Sequence, residues 1–107
     1  MNQFELFSMI FYVLDDAWDD SKDYDLGQFL SSANPFLFEG VGSAVPDVYE
    51  DFKSKTPNTI DIRDSYRIAV EYIKSIEDGK FLSVFLSTSE EEWVEYVNDY
   101  LSKPHKC

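Results

Sequence analysis

Apolar residues recur at three- and four-residue spacing from the start of the chain. Phe4, Phe7, Phe11, Leu14 and Trp18 share one face of a helical period, and Leu6, Ile10, Val13 and Ala17 form a second stripe beside it. The pattern predicts a helix over residues 3–19 whose apolar face is broad enough to be packed by several neighbours. A polar break follows at 20–23. Asp23 or Asp25 is then placed to cap a short second helix that turns Leu26, Phe29 and Leu30 inward. Asn34-Pro35 ends it, because the residue before proline avoids the helical region.

Residues 36–43 include Gly40 and Gly42 and read as an irregular loop, with Phe36, Leu37 and Phe38 expected to pin it to the core. A third helix is expected to start at Ser43, with Pro46 in its first turn and Val48, Tyr49 and Phe52 facing inward. Pro57 lies beyond its end. The fourth helix is capped by Asp61, with Asp64 at the reach-back position. Its stripe is Ile62, Tyr66, Ala69, Ile73 and Ile76, flanked by Ile68 and Tyr72, and Asp78-Gly79 is read as its stop. Residues 81–86 form an apolar run that fits either a buried strand or a short helix. With no second strand candidate to pair it, a short helix is the expectation. A last helix begins at Thr88 or Ser89, with Glu91 or Glu92 completing a capping box, and buries Trp93, Val97, Tyr100 and Leu101.

Together these segments predict an all-α fold: a compact bundle of about four longer helices plus one or two short ones, forming a single domain over residues 1–107. The tail from about residue 103 is expected to fray. Apolar residues make up 44% of the chain and aromatics 17%, enough core material to fold despite the charge. The apolar run at 6–14 is too short to span a bilayer, and it lacks the basic flank and small-residue cleavage site of a secretory leader. Cys107 is the single cysteine, which excludes an internal disulfide and suits a reducing cytoplasm.

Charge changes the picture more than composition does. Residues 1–52 hold eleven acids and one base, Lys22, whereas residues 53–107 hold ten acids and eight bases. Most of the net charge of −12 therefore sits in one half, and Asp15, Asp16, Asp19, Asp20, Asp23 and Asp25 crowd a short stretch of it. Such a field repels nucleic acid and anionic lipid and attracts a basic surface. If the first helix continues, Asp15 and Asp19 lie one turn apart, as do Asp16 and Asp20. Like charges at that spacing repel, and acids at a helix C-terminus oppose its dipole. Two local rules broken at one place point to a requirement beyond folding. Tyr24, off the regular stripes, is the candidate exposed aromatic anchor, while Trp18 is expected to pack on the core. Asp15, Asp16, Asp19, Asp20, Asp23, Tyr24 and Asp25 are thus the candidate partner-binding residues.

Chemistry is harder to find. A calcium loop starting at Asp19 would need glycine at its sixth position and glutamate at its twelfth, where Tyr24 and Leu30 stand. Glu90, Glu91, Glu92 and Glu95 complement a helix N-terminus. His105, the sole histidine, lies beside Cys107 in the tail, where neither gains the support a metal site or a general base requires. Arg63 and Arg67, one turn apart, are read as clamps on the acidic half of the same molecule rather than as an anion site. No catalytic residue, metal ligand set or cofactor motif is assigned, and the chain is expected not to be an enzyme.

The expectation that follows is a small cytoplasmic protein that docks on and neutralises a basic partner protein. Its general traits are similar to those of bacterial nuclease-toxin immunity proteins: small, acidic, often helical, without catalytic residues. That is an analogy of composition, since the Tyr-Tyr-Pro segment of the helical DNase-colicin immunity proteins is missing here. Two alternatives stand beside it. One is a non-catalytic structural or interaction module whose acidity serves only solubility, in one version a homodimer sealed by the broad face of the first helix. The other is a weak divalent-cation binder.

Overall fold

In the computed structural model, which describes residues 1–35 and 42–104, the long pattern at the start of the chain becomes α1 (Gln3–Ser21). Its beginning is fixed by a reciprocal cap: the Asn2 side chain accepts from the Glu5 amide, and the Glu5 carboxylate accepts from the Asn2 amide, both at 2.8 Å. Five more helices follow: α2 (Tyr24–Ala33), α3 (Pro46–Lys55), α4 (Ile62–Lys74), α5 (Leu82–Phe85) and α6 (Glu90–Leu101), with a 3-10 turn at Glu77–Gly79 before α5. The fold is an all-α bundle. No strand forms among the described residues; an isolated bridge joins Asn2 to Thr59, and the Ile60 amide donates to Met1 O at 3.0 Å.

The centre of the bundle is α1, which touches each of the other five helices. Phe4, Leu6, Phe7, Ser8, Met9, Ile10, Phe11, Val13 and Leu14 are all buried, so its first three turns are enclosed nearly all round. The broad apolar face is therefore covered within the chain itself, and it is not the exposed seal that the dimer reading requires. Aromatic edges lock the surroundings: Phe4 meets Tyr49 at 5.6 Å, Phe7 meets Phe52 at 5.1 Å, and Phe52 meets Tyr72 at 4.7 Å between ring centroids. The Gln3 side-chain amide donates to Lys53 O and Thr56 O, closing the C-terminal end of α3 against the start of α1.

The other half of the core is built by α4, α5 and α6. Trp93 is fully buried, and its indole donates to Ser65 Oγ at 2.8 Å. Phe85 and Tyr66 pack on the same indole. Within residues 81–86 the short helix α5 forms, as their lack of a strand partner predicts. Ser89 and Glu92 close the capping box expected at the start of α6.

Four local expectations are corrected. Ser43 does not begin α3. Val45 holds the cap position without a side-chain bond, and buried Ser43 instead accepts from the Tyr49 amide and donates to Val45 O. Asp64 does not reach back. The Asp61 carboxylate accepts from the Arg63 amide, and Asp64 faces Arg67 at 3.8 Å. Arg63 and Arg67 consequently pair with acids of their own helix start, because those carboxylates are nearer than the acidic half; the contact across the chain is made by Lys80 on Asp25, while Lys53 on Glu50 and Lys55 on Asp51 are pairs within α3. Finally, α4 ends at Lys74, before Asp78-Gly79, which lies in a left-handed turn with φ of 55° and 78°. The pinned loop expected from Phe36, Leu37 and Phe38, and the tail with His105 and Cys107, lie outside the described residues.

Candidate functional site

Beyond Leu14, α1 changes from core to surface. Asp15, Asp16, Asp19 and Asp20 are all exposed, and the last turn carries no base to offset the helix dipole. The helix nevertheless runs two residues past the expected end. Lys22 accounts for this: it takes the left-handed cap conformation at φ 53°, and its amide donates to Trp18 O at 2.7 Å. Its ammonium lies 4.2 Å from the Trp18 ring centre and 3.1 Å from Asp19. One lysine thus closes the backbone, covers the indole and pairs with one acid.

The turn into α2 is equally specified. The Asp23 carboxylate accepts from the Leu26 amide at 2.9 Å, so Asp23 is the cap of α2. The half-buried Trp18 indole donates to Asp23 O at 2.9 Å, and Gly27 lies against it. Trp18 packs on the edge of the core, as expected. Tyr24 is 76% exposed, as expected for an anchor. Asp25 pairs with Lys80, whose pKa is raised first by that hydrogen bond and then by the surrounding carboxylates.

The candidate residues therefore lie at the C-terminal end of α1 and the start of α2, but they are not equivalent. Asp23 is engaged in capping, Asp19 and Asp25 in exposed ion pairs. Asp15, Asp16 and Asp20 make no ion pair among the described residues. Exposed pairs contribute only about 0–1 kcal/mol and exchange readily, so Asp19 and Asp25 still add to the outward field.

Two concavities flank this helix end. Asp15 borders a shallow one with Phe11, Trp18, Gly27 and Leu30. Asp16 borders a larger one of about 620 Å³ between α1 and α6, floored by Phe4, Ser8, Met9 and Val13. Its walls include Tyr12, Tyr96, Asp99, Tyr100 and Lys103. Tyr12 and Tyr100 meet edge-on at 5.8 Å, and Lys103 pairs with Asp99 at 2.9 Å. Burial raises the pKa of the Tyr12 hydroxyl.

No protein family, curated protein or solved structure matches this chain.

The site must therefore be read from its own chemistry. Tyr96 and Asp99 were missed by the sequence reading as site residues; the available signal was Tyr96, an aromatic one position off the buried Trp93–Val97 stripe, with acids on both sides. Residues 24–33 are helix, so the segment that a calcium loop would occupy is not a loop. Among the described residues, no group of three or more His, Cys, Asp or Glu is arranged to hold a metal ion, and no helix is long and apolar enough to cross a membrane.

Proposed function

We propose that this chain is a small acidic binding protein that docks on a basic partner protein and neutralises it, in the manner of an immunity protein or inhibitor. The observation that carries this reading is the emergence of α1 from the core with Asp15, Asp16 and Asp20 exposed and without ion pairs among the described residues, beside the exposed ring of Tyr24. Folding alone disfavours this arrangement. Each i,i+4 carboxylate pair costs roughly 0.2–0.5 kcal/mol, and the helix dipole adds to the cost. A cationic partner converts both liabilities into attraction.

Carboxylates would steer the encounter and the Tyr24 ring would supply anchor area at its centre. A nuclease is the kind of partner that fits, since its substrate-binding face is cationic and an acidic body seated there or beside it blocks a polyanion. A single cysteine suits a reducing compartment and supports a cytoplasmic encounter. The test is to isolate cationic partners from the native host at low salt and measure their affinity for the pure protein as salt is raised. Affinity falling steeply with ionic strength supports the reading. Salt-independent binding, or the absence of any cationic partner, contradicts it.

A further inference from the structure

We propose that the cleft between α1 and α6 receives an arginine side chain of the basic partner. This rests on the binding reading above and adds to it the place where one partner residue is held. The cleft, about 620 Å³, lies within the ordinary size range of ligand sites and has the corresponding make-up, an apolar floor with a few polar groups at the rim. Tyr96 is 47% exposed, one of the few large rings left in water among the described residues, and it stands on the wall of the cleft. An exposed ring on such a wall offers aromatic surface to whatever enters.

Charge decides what enters. Asp16 stands at the rim with no ion pair among the described residues, while Asp99 is held by Lys103 in a pair whose members are both 65% exposed. An anion would meet Asp16 and a molecule of net charge −12. A purely apolar group would strip water from the carboxylates and return nothing for it. A cation gains from Asp16 directly, competes with Lys103 for Asp99, and lies against the Tyr96 ring. Guanidinium fits better than ammonium: it is planar, stacks on aromatic faces, is more weakly hydrated, and grips a carboxylate with two parallel hydrogen bonds.

The test uses hexa-arginine and hexa-lysine peptides titrated into the pure protein at low salt, with nuclear magnetic resonance mapping and calorimetry. On the wild type, hexa-arginine is expected to bind more tightly than hexa-lysine and to shift the ring resonances of Tyr96 and Tyr100. Asp16→Asn and Tyr96→Ala are each expected to weaken hexa-arginine about tenfold, the size of one lost charge-assisted or cation–π contact at a partly desolvated site. Asp47→Asn, which removes the same charge far along the chain on α3, is expected to weaken it less than about threefold, the effect of general field alone. Suppose instead that Asp16→Asn matches Asp47→Asn, that Tyr96→Ala changes nothing, or that the Tyr96 and Tyr100 rings do not move. The cleft is then not the receptor and this inference falls, while salt-dependent peptide binding still upholds the acidic-surface reading. Equal affinity for the two peptides overturns the assignment to arginine. If neither peptide binds in a salt-dependent way, both readings fall together.

Discussion

Gly27 is small because Trp18 occupies the space a side chain would need. A Cβ placed there would sit 2.9 Å from Trp18 Nε1. Alanine would favour the helix by about 1 kcal/mol, but the displaced indole would lose its bond to Asp23 O, worth a similar amount. Gly27→Ala should therefore leave overall stability within about 1 kcal/mol of wild type while moving the indole. The readout is the Trp18 indole proton resonance, with buried Trp93 as the internal reference; an unmoved Trp18 signal would count against the packing described. Tyr72 offers a second test at this scale. Burial, and secondarily the charge of Asp51, raises its hydroxyl pKa above the usual value of 10.0. The unfolded chain ionises there first, so Tyr72 contributes its full stability below pH 10 and loses it as pH rises from the unfolded toward the folded pKa. The slope contributed is at most ~1.4 kcal/mol per pH unit. Tyr72→Phe should remove one proton's share of the alkaline loss measured by denaturant unfolding, leaving a remainder to Tyr12, Tyr49 and Tyr66, whose pKa values are also raised by burial. An unchanged alkaline slope would show that Tyr72 is not buried in the protonated form.

Among the elements, α4 and α6 are joined by a buried bond. Ser65 Oγ accepts from the Trp93 indole and donates to Ile62 O, joining the start of α4 to the start of α6. Ser65→Ala leaves a buried N–H without its acceptor, at a cost of about 1–3 kcal/mol in the midpoint of urea unfolding. A loss below a few tenths would mean that the indole finds water or another acceptor. This bond joins distant parts of the chain, and nothing in the local pattern announces it. What the sequence does announce is periodicity and capping. The stripes of α1 and α4 and the Ser89–Glu92 box of α6 are legible because each needs only neighbours within one turn. The same reasoning fails at Ser43 and Asp64, where the competing partners, the Tyr49 amide and the Arg67 side chain, are almost as near as the expected ones. It also fails at the cleft: Asp16 and Tyr96 line one cleft only because α6 packs beside α1, and periodicity reports which face is buried, not which helix covers it.

At the scale of the whole molecule, the acidic stretch seen along the chain stays at the surface after folding, in a reduced form. The acids of residues 15–25 gather where α1 leaves the core, yet Asp23 is consumed in a cap and Asp19 and Asp25 are paired, so the outward field rests chiefly on Asp15, Asp16 and Asp20. Separate roles can be tested separately. Asp23→Asn should be nearly neutral for stability, because asparagine caps as well as aspartate, whereas Asp23→Ala should cost about 1 kcal/mol by thermal unfolding. The most direct measurement compares wild type with the triple variant Asp15→Asn, Asp16→Asn, Asp20→Asn. It records the association rate with the captured cationic partner at low salt and, on the same samples, the unfolding free energy. The account expects the variant to be as stable as wild type or more so, by up to roughly 1 kcal/mol as like-charge repulsion and the dipole penalty are relieved, and to associate at least about tenfold more slowly with a flatter salt dependence. A variant that loses stability while associating at the wild-type rate would show that these carboxylates serve the fold and not the encounter.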